Sequence, residues 1–222
     1  MQIPIDHIGF DDIKYGNPSR EDVHNIKVKS YLDEILPSML KSVPFRNSSI
    51  GTKEELNKLV TYAKYTENSA RRNIFDGDLV PYMEGLFVNN GADAEDVHKT
   101  VNDLVIDILP VITKLKYEFQ RPRPFQLACY YNLAFYPAFS KYVSSPSYPS
   151  GHTVLCLVIA EVLSYQYATV FPGCHEVMTK FSGEVMESRL YLGVHYPSDN
   201  TFGCEVANAI LLNSKFRQKY EF

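Results

Sequence analysis

Residues 188–199 read SRLYLGVHYPSD, and residues 149–152 read PSGH. A third segment, KYEFQRPRP at residues 116–124, places a lysine seven positions before an arginine–proline pair. At average residue frequencies, the three spacings together have a chance of roughly 10⁻⁸ of arising in one such chain. Cationic and reactive side chains therefore stand in an ordered arrangement that chance does not explain.

The sequence around these segments has the periodicity of helices, and no long run alternates apolar and polar residues as a half-buried strand does. Asn89-Asn90-Gly91 is a turn signal, after which Asp93 is placed to cap a long helix. The apolar face of that helix consists of Val97, Val101, Leu104, Val105, Ile108, Leu109, Ile112 and Leu115. We therefore expect an all-α fold.

Further helices are predicted on both sides of this one. A first helix is expected over residues 20–41, and a second begins at Thr52, where Thr52 and Glu55 fit a capping box. Ser198 is placed to cap the last helix of the chain. The three helices after the proline-rich segment are expected at about residues 151–170, 176–192 and 199–216.

The composition fits one globular domain. With 222 residues, 45% apolar and 22% charged, the chain is long enough to bury a full core. We interpret residues 1–50 as an N-terminal extension packed on the core and residues 51–222 as the helical domain. The formal charge of -4 argues against a general nucleic-acid binder, because tracking a polyanion needs an excess of basic side chains. Any anion-binding site must therefore be local.

Neither a metal site nor a membrane span is indicated. The chain has four cysteines, Cys129, Cys156, Cys174 and Cys204. They form no CxxC pair, so a structural zinc site is not expected, and their disulfide state stays open. The most hydrophobic stretch, residues 154–171, reaches spanning length only by including Glu161 and Gln166, and we interpret it as a core helix. No signal peptide is visible, so we expect a cytoplasmic protein, with export after removal of a leader as the alternative.

Two cations lie on apolar helix faces. Lys116 follows Ile112 by four residues, so at about 100° per residue it shares the face of that side chain, and Arg189 has the same relation to Val185. Burial of a cation is costly unless it is paired. Glutamates on the same helix as Arg189 are candidate partners. The alternative counter-charge is an anionic ligand with several oxygens, such as phosphate.

The three segments together resemble the three-part motif of the type 2 phosphatidic acid phosphatase (PAP2) superfamily. This superfamily includes the bacterial class A non-specific acid phosphatases and the vanadium-dependent haloperoxidases. The likeness in motifs covers residues 116–199 and implies a single-domain helical bundle of the PAP2 type. The chain length is similar to that of the soluble acid phosphatases. The resemblance therefore implies a soluble, metal-independent acid phosphatase that hydrolyses phosphate monoesters, such as nucleotides or sugar phosphates, through a phosphohistidine.

The resemblance assigns one group of residues to phosphate binding. A guanidinium clamps two oxygens with its planar fork, whereas an ammonium acts as a point charge. Residues at a helix N-terminus add a hydroxyl and a backbone N–H. This group consists of Lys116, Arg123, Ser150, Gly151 and Arg189. A small phosphorylated substrate is the expected partner, no metal or other cofactor is implied, and self-association stays open.

The resemblance implies different catalytic roles for two histidines. His195 resembles the family nucleophile, and Asp199 is placed to accept a hydrogen bond from its other ring nitrogen, which fixes the tautomer. His152 matches the general acid that protonates the leaving oxygen and later activates water. Because the two histidines start in opposite protonation states, activity is expected to be highest at about pH 5 to 7.

Three alternatives stay open. The segment PSYPSGH at residues 146–152 looks similar to haloperoxidases, in which vanadate bound to His195 would be the cofactor and His152 would assist peroxide activation. Lipid phosphates are a second class of substrate. A non-catalytic sensor of phosphates or lipid headgroups is a third reading. Arg121, which precedes Arg123 by two residues, is interpreted as a solvated side chain.

Overall fold

The computed structural model describes residues 9–65, 79–135, 137 and 143–222. Within these ranges the regular elements are helices and no strand occurs, which confirms the predicted all-α class. Short 3-10 turns lie at Phe10–Asp12, Tyr31–Ile35 and Cys129–Tyr131. The α-helices are α1 (Arg20–Lys27), α2 (Leu36–Met39), α3 (Ile50–Tyr65), α4 (Leu79–Val88), α5 (Ala94–Phe119), α6 (Pro124–Ala128), α7 (Gly151–Gln166), α8 (Cys174–Tyr191), α9 (Pro197–Leu211) and α10 (Ser214–Tyr220).

Helix α5 is the long helix that the sequence predicts. The Asp93 carboxylate accepts hydrogen bonds from the backbone N–H groups of Glu95 and Asp96, which confirms the predicted cap. Its buried apolar residues belong to the main core together with side chains of α4, α7, α8 and α9. Two of the predicted apolar positions, Val105 and Leu109, are instead partly exposed, because they line a cavity.

The predicted helix over residues 20–41 is wrong in its extent, since three short elements occupy that range. Helix α1 ends where Val28 adopts an extended backbone. Ser30 then begins a 3-10 turn with Asp33 in a capping box, and Pro37 stands in the first turn of α2. The predicted last helix is likewise divided, because α9 ends at Leu211 and α10 begins after Asn213. Helix α4 was not predicted, since its apolar run contains a proline and shows no clear helical period.

The predicted capping box at the start of α3 is also wrong. The helix begins at Ile50, and the Ser49 hydroxyl accepts a hydrogen bond from the Thr52 backbone N–H at 3.2 Å. The Thr52 hydroxyl donates to the carbonyl of Arg46. The Glu55 side chain is therefore not used as a cap of its own helix and extends toward α9 instead.

The segment before α3 packs on the helical core. Leu32 and Ile35 are buried in the main apolar cluster. The Tyr31 hydroxyl donates to Asp107 of α5 at 2.6 Å. Over the part of the chain that the structure describes, no helix combines the length and the hydropathy that crossing a bilayer requires.

Helices α7 and α9 approach each other closely at Gly203. A Cβ atom at this position would lie 2.9 Å from Cβ of Thr153 and 3.1 Å from the carbonyl oxygen of Ser150. The Ser150 N–H donates to the Asp199 carbonyl at 3.0 Å. This contact joins the start of α7 to the start of α9, so the PSGH segment and the histidine segment lie side by side.

Candidate active site

A cavity of about 560 Å³ lies between α1, α4, α5 and α7. Along α5 its lining runs from His98 through Leu109 to Lys116, which spans about 27 Å of helix at 1.5 Å per residue. The lining near Lys116 also includes Arg123, Gly151, His152 and His195, which the sequence assigns to the site. The cavity therefore has a cationic base, a middle section with apolar walls, and a polar far end.

The backbone turn before His195 depends on a glycine. Helix α8 ends at Tyr191, and Gly193 adopts a φ of +69°, a left-handed conformation that favours glycine. A Cβ atom at Gly193 would lie 2.4 Å from Cζ of Phe135. The chain therefore reverses tightly behind Phe135 and presents His195 in the short connection before α9.

The two ring nitrogens of His195 have different partners. Nδ1 lies 3.1 Å from Oδ2 of Asp199, and Nε2 lies 3.0 Å from Nη1 of Arg123. Because a carboxylate only accepts and a guanidinium only donates, the proton resides on Nδ1 and the lone pair on Nε2. Burial, followed by the charges of Arg123, Lys116 and Arg189, lowers the pKa of His195 well below its ordinary value. His195 is thus a neutral imidazole that lines the cavity base and has its lone pair on Nε2.

Asp199 is completely buried and has hydrogen-bond donors at both carboxylate oxygens. Oδ1 accepts from Nη1 of Arg121 at 2.6 Å, and Oδ2 accepts from the Tyr196 N–H at 2.9 Å in addition to His195. Burial raises the pKa of Asp199, whereas the Arg121 guanidinium, the Tyr196 amide and Arg123 oppose this rise. The contact with Arg121 keeps the carboxylate charged and oriented toward His195.

Arg123 is held rigidly by backbone carbonyls. Its Nε donates to the Ser145 carbonyl at 2.8 Å, and Nη1 donates to the Val194 carbonyl at 2.7 Å as well as to His195. Burial lowers the pKa of Arg123 to about 10, so the side chain stays charged at neutral pH. A fixed guanidinium beside Nε2 of His195 is suited to hold an anion there.

Lys116 and Arg189 are both buried, as their helical spacing predicts, with exposed fractions of 6% and 0%. Nζ of Lys116 donates to the carbonyl of Pro146. Burial lowers the pKa of Lys116 well below its ordinary value, and the nearby Arg123 lowers it further. Nη1 of Arg189 lies 3.4 Å from Nε2 of His152. The positive charges converge on one small volume, which destabilises them until an anion is present.

His152 lines the same cavity as His195. Burial, and then the charge of Arg189, lowers the pKa of His152 well below its ordinary value. In the free protein His152 is therefore neutral, whereas the general-acid role that the sequence predicts requires the imidazolium form, with a proton on both ring nitrogens. A bound phosphate dianion would offset the surrounding positive charge and raise that pKa, so the proton and the substrate are coupled.

The start of α7 provides the remaining predicted residues. Ser150 is the N-cap, and its hydroxyl oxygen accepts hydrogen bonds from the Thr153 N–H at 3.4 Å and the Thr153 hydroxyl at 2.9 Å. Gly151 follows in the first turn and lines the cavity, whereas Ser150 is completely buried behind it. The N-terminus of α7 therefore faces the cationic base, where its free amides favour an anion.

The interpretation of Arg121 as a solvated side chain is wrong. Only 2% of this residue is exposed, and its guanidinium bridges Asp199 and Glu55. A signal was present, because Arg121 and Arg123 are two residues apart in an extended segment, where alternate side chains share a side. Glu55 had no such signal, since it lies far away in the sequence.

A solved structure of similar fold aligns with most of this chain. It is the "first transmembrane PAP2 type phosphatidylglycerolphosphate phosphatase from Bacillus subtilis", with a TM-score of 0.56 and 16% sequence identity. The alignment covers 85% of this chain and 94% of that one. No curated protein matches the sequence. At this identity the likeness concerns the fold alone.

The sequence profile of the PAP2 superfamily matches residues 104–217. This range is just over half of the chain and contains the three segments that carry the motif. The protein belongs to the PAP2 superfamily, whose phosphatase-type fold supports phosphoester hydrolysis.

Proposed function

We propose that this protein is a metal-independent phosphomonoesterase that works through a phosphohistidine on His195. The observation that carries the proposal is the arrangement of His195, with Asp199 on Nδ1 and Arg123 at Nε2, at the cationic base of the cavity. Fixed donors around a transferring phosphoryl group provide most of the catalysis in such reactions. Lys116 and Arg189 add charge at the same base.

The proposed reaction has two steps. Nε2 of His195 attacks phosphorus, the bond to the ester oxygen breaks, and His152 transfers its proton to the leaving oxygen. His152 then takes a proton from water, whose oxygen attacks phosphorus and breaks the N–P bond. The products are an alcohol and inorganic phosphate. Arg123 transfers its hydrogen bond from Nε2 to a phosphate oxygen when the substrate binds.

The walls of the cavity support a substrate with an apolar organic part. Val105, Leu109 and Ile112 form one apolar row on α5, about 10 Å long at the rise of a helix. Opposite walls add apolar side chains from α4 and α7, namely Leu79, Val80, Met83, Leu155 and Ile159. Alkyl or lipid phosphates therefore fit this cavity better than sugar phosphates, whose hydroxyl groups would lose water without gaining partners along that row.

Hydrolysis of a chromogenic phosphate monoester in the presence of a chelator tests the activity. We expect turnover by the wild-type protein, inhibition by vanadate, and loss of turnover in His195→Ala. Acid quenching with labelled substrate is expected to trap label on the protein in an acid-labile form. Absence of turnover at every pH from 4 to 8 contradicts the proposal, and peroxide-dependent halide oxidation that requires vanadate would favour the haloperoxidase alternative.

A series of alkyl phosphates tests the proposed substrate class. We expect KM to fall by roughly fourfold per added methylene until the apolar row is filled, since each buried CH₂ contributes about 0.8 kcal/mol. Leu109→Asn should abolish this dependence on chain length. Ile106→Asn is the matched control, because Ile106 lies on the same helix but is 60% exposed. A KM that is independent of chain length, together with good turnover of glycerol phosphate, favours small polar substrates instead.

A further inference from the structure

Glu55 lies on α3, outside the three motif segments and outside the range of the family match. Glu55 is only 6% exposed, and its carboxylate is in direct contact with Arg121 and Ser198. We propose that Glu55 and Arg121 are positioning residues that hold the Asp199–His195 pair and keep Asp199 an effective anion. This inference rests on the proposed function, in which His195 is the nucleophile.

The guanidinium of Arg121 links two carboxylates. Nη2 donates to Oε2 of Glu55 at 2.8 Å, and Nη1 donates to Oδ1 of Asp199 at 2.6 Å. The same Nη1 also reaches the Ser198 hydroxyl at 2.7 Å. The guanidinium carbon lies 3.9 Å from the centroid of the Tyr196 ring, which packs over its face. The fork geometry leaves Arg121 one orientation, and that orientation fixes Oδ1 of Asp199.

Glu55 also anchors the start of α9. Its Oε1 accepts the Ser198 backbone N–H at 2.6 Å, and its Oε2 accepts the Ser198 hydroxyl at 2.9 Å. Ser198 and Asp199 are adjacent in the first turn of α9, where a carboxylate is stabilised by the free amides and the helix dipole. Glu55 therefore fixes both the guanidinium that binds Asp199 and the backbone that carries Asp199.

The charges give Glu55 a second role. Arg121 alone would cancel the charge of Asp199, and an uncharged pair would do little to stabilise positive charge on His195. With Glu55 included, the three groups carry one net negative charge. Around His195 the other charged groups are Arg123, Lys116 and Arg189, which all oppose a positive imidazole. The net negative charge behind Nδ1 is thus what favours charge development on the ring as the N–P bond forms.

The test compares Glu55→Gln with Asp33→Asn, which removes a partly buried carboxylate from an ion pair with Lys114 that does not contact the site. We expect Glu55→Gln to lower kcat for the chromogenic ester by about tenfold or more with KM changed less than about twofold. Asp33→Asn should keep the wild-type kcat. Glu55→Asp should recover part of the loss in kcat, because it keeps the negative charge. If the contact were merely structural, the isosteric Glu55→Gln would preserve kcat better than Glu55→Asp.

A spectroscopic measurement makes the test independent of turnover. The Nδ1–H proton of His195 is expected to give a downfield NMR signal in the wild type, which shifts upfield in Glu55→Gln and stays in place in Asp33→Asn. Arg121→Lys keeps a charge but cannot bridge both carboxylates, and it should shift the same signal. This variant replaces Glu55→Gln in the test if Glu55→Gln does not fold. Wild-type kcat and an unmoved signal in the variants would overturn the inference, whereas an inactive wild type with a shifting signal would overturn only the proposed function.

Discussion

Nη1 of Arg123 donates a hydrogen bond to Nε2 of His195, the nitrogen opposite the one that contacts Asp199. The lone pair that would attack phosphorus is therefore occupied by a cation in the free protein. An anion that enters the cavity gives Arg123 a better acceptor and releases Nε2. In the proposed reaction, binding of the substrate and exposure of the nucleophilic nitrogen are thus the same event.

Replacement of Arg123 by lysine should reduce kcat/KM by about a hundredfold or more. Lysine is a point charge and cannot contact the carbonyls of Ser145 and Val194 together with a phosphate oxygen. The measurement is steady-state hydrolysis of the chromogenic ester. Arg46→Lys, at an exposed arginine, is the control and should keep wild-type kinetics. Equal effects of the two substitutions would show that Arg123 does not bind the phosphoryl group.

Arg189→Lys should reduce turnover by about tenfold or more. Arg189 lies beside His152 and is completely buried, so the loss of its fork affects both the phosphate oxygens and the environment of the proposed acid. Steady-state kinetics across pH 5 to 8 provide the measurement. An unchanged rate over this range would place Arg189 outside the phosphate site.

The free energy of unfolding should fall as the pH drops below about 6.5. Burial and positive charge lower the pKa values of His152 and His195 in the folded protein, so the unfolded chain takes up protons that the folded chain does not. Each histidine then costs about 1.4 kcal/mol of stability per pH unit below 6.5. Urea denaturation at pH 7.5, 6.5 and 5.5 measures this slope. His152→Asn should reduce it, whereas the exposed His24→Asn should not; identical slopes in all three proteins would argue against buried neutral histidines.

Binding of a dianion should take up protons. Sulfate stays a dianion near neutral pH, and its charge opposes the effects of Arg189 and the other cations that depress the pKa of His152. Calorimetry in two buffers of different ionisation enthalpy should give uptake that approaches about one proton per sulfate near pH 6. His152→Asn should bind sulfate with less uptake. Release of protons in the wild type would contradict the coupling of substrate and proton.

Gly193→Ala should destabilise the protein by about 3 kcal/mol, which combines left-handed strain with overlap against a buried ring. Its added Cβ would lie 2.4 Å from Phe135, and the resulting shift should also reduce turnover by displacing His195. Gly173→Ala is the matched control, because Gly173 has a φ of +83° but no atom within 4 Å of the added Cβ. It should cost only about 1–2 kcal/mol and leave turnover unchanged. Equal losses for the two variants would mean that Phe135 moves aside without cost.

The sequence predicted the long helix and the two buried cations because both depend on local spacing. Apolar residues at helical intervals identified the face of α5, and Lys116 and Arg189 shared such faces. The extent of the first helix was not predictable in this way, since the break after Lys27 depends on the competing cap at Ser30. The local sequence pattern thus predicted the middle of a helix better than its ends.

The contact made by Glu55 could not be predicted from the local sequence. Its spacing from Thr52 matched a capping box, yet its carboxylate binds Ser198, which is 143 residues away in the chain. Nothing in the residues around Glu55 indicates that contact, because only the tertiary fold brings Ser198 close to α3. The role of Arg121 could have been predicted, because it lies two residues before the motif residue Arg123. The role of its long-range partner Glu55 could not.

The close crossing of α7 and α9 at Gly203 determines which sequence changes would preserve the spacing of the two site segments. The Ser150–Asp199 contact depends on the distance between the two helix axes, and Thr153 leaves no room there for a side chain larger than hydrogen. The turn that follows α7 lies at the other end of that helix. Insertions in that turn would leave the spacing between the PSGH segment and His195 intact, whereas one added methyl group at Gly203 would force these two segments apart.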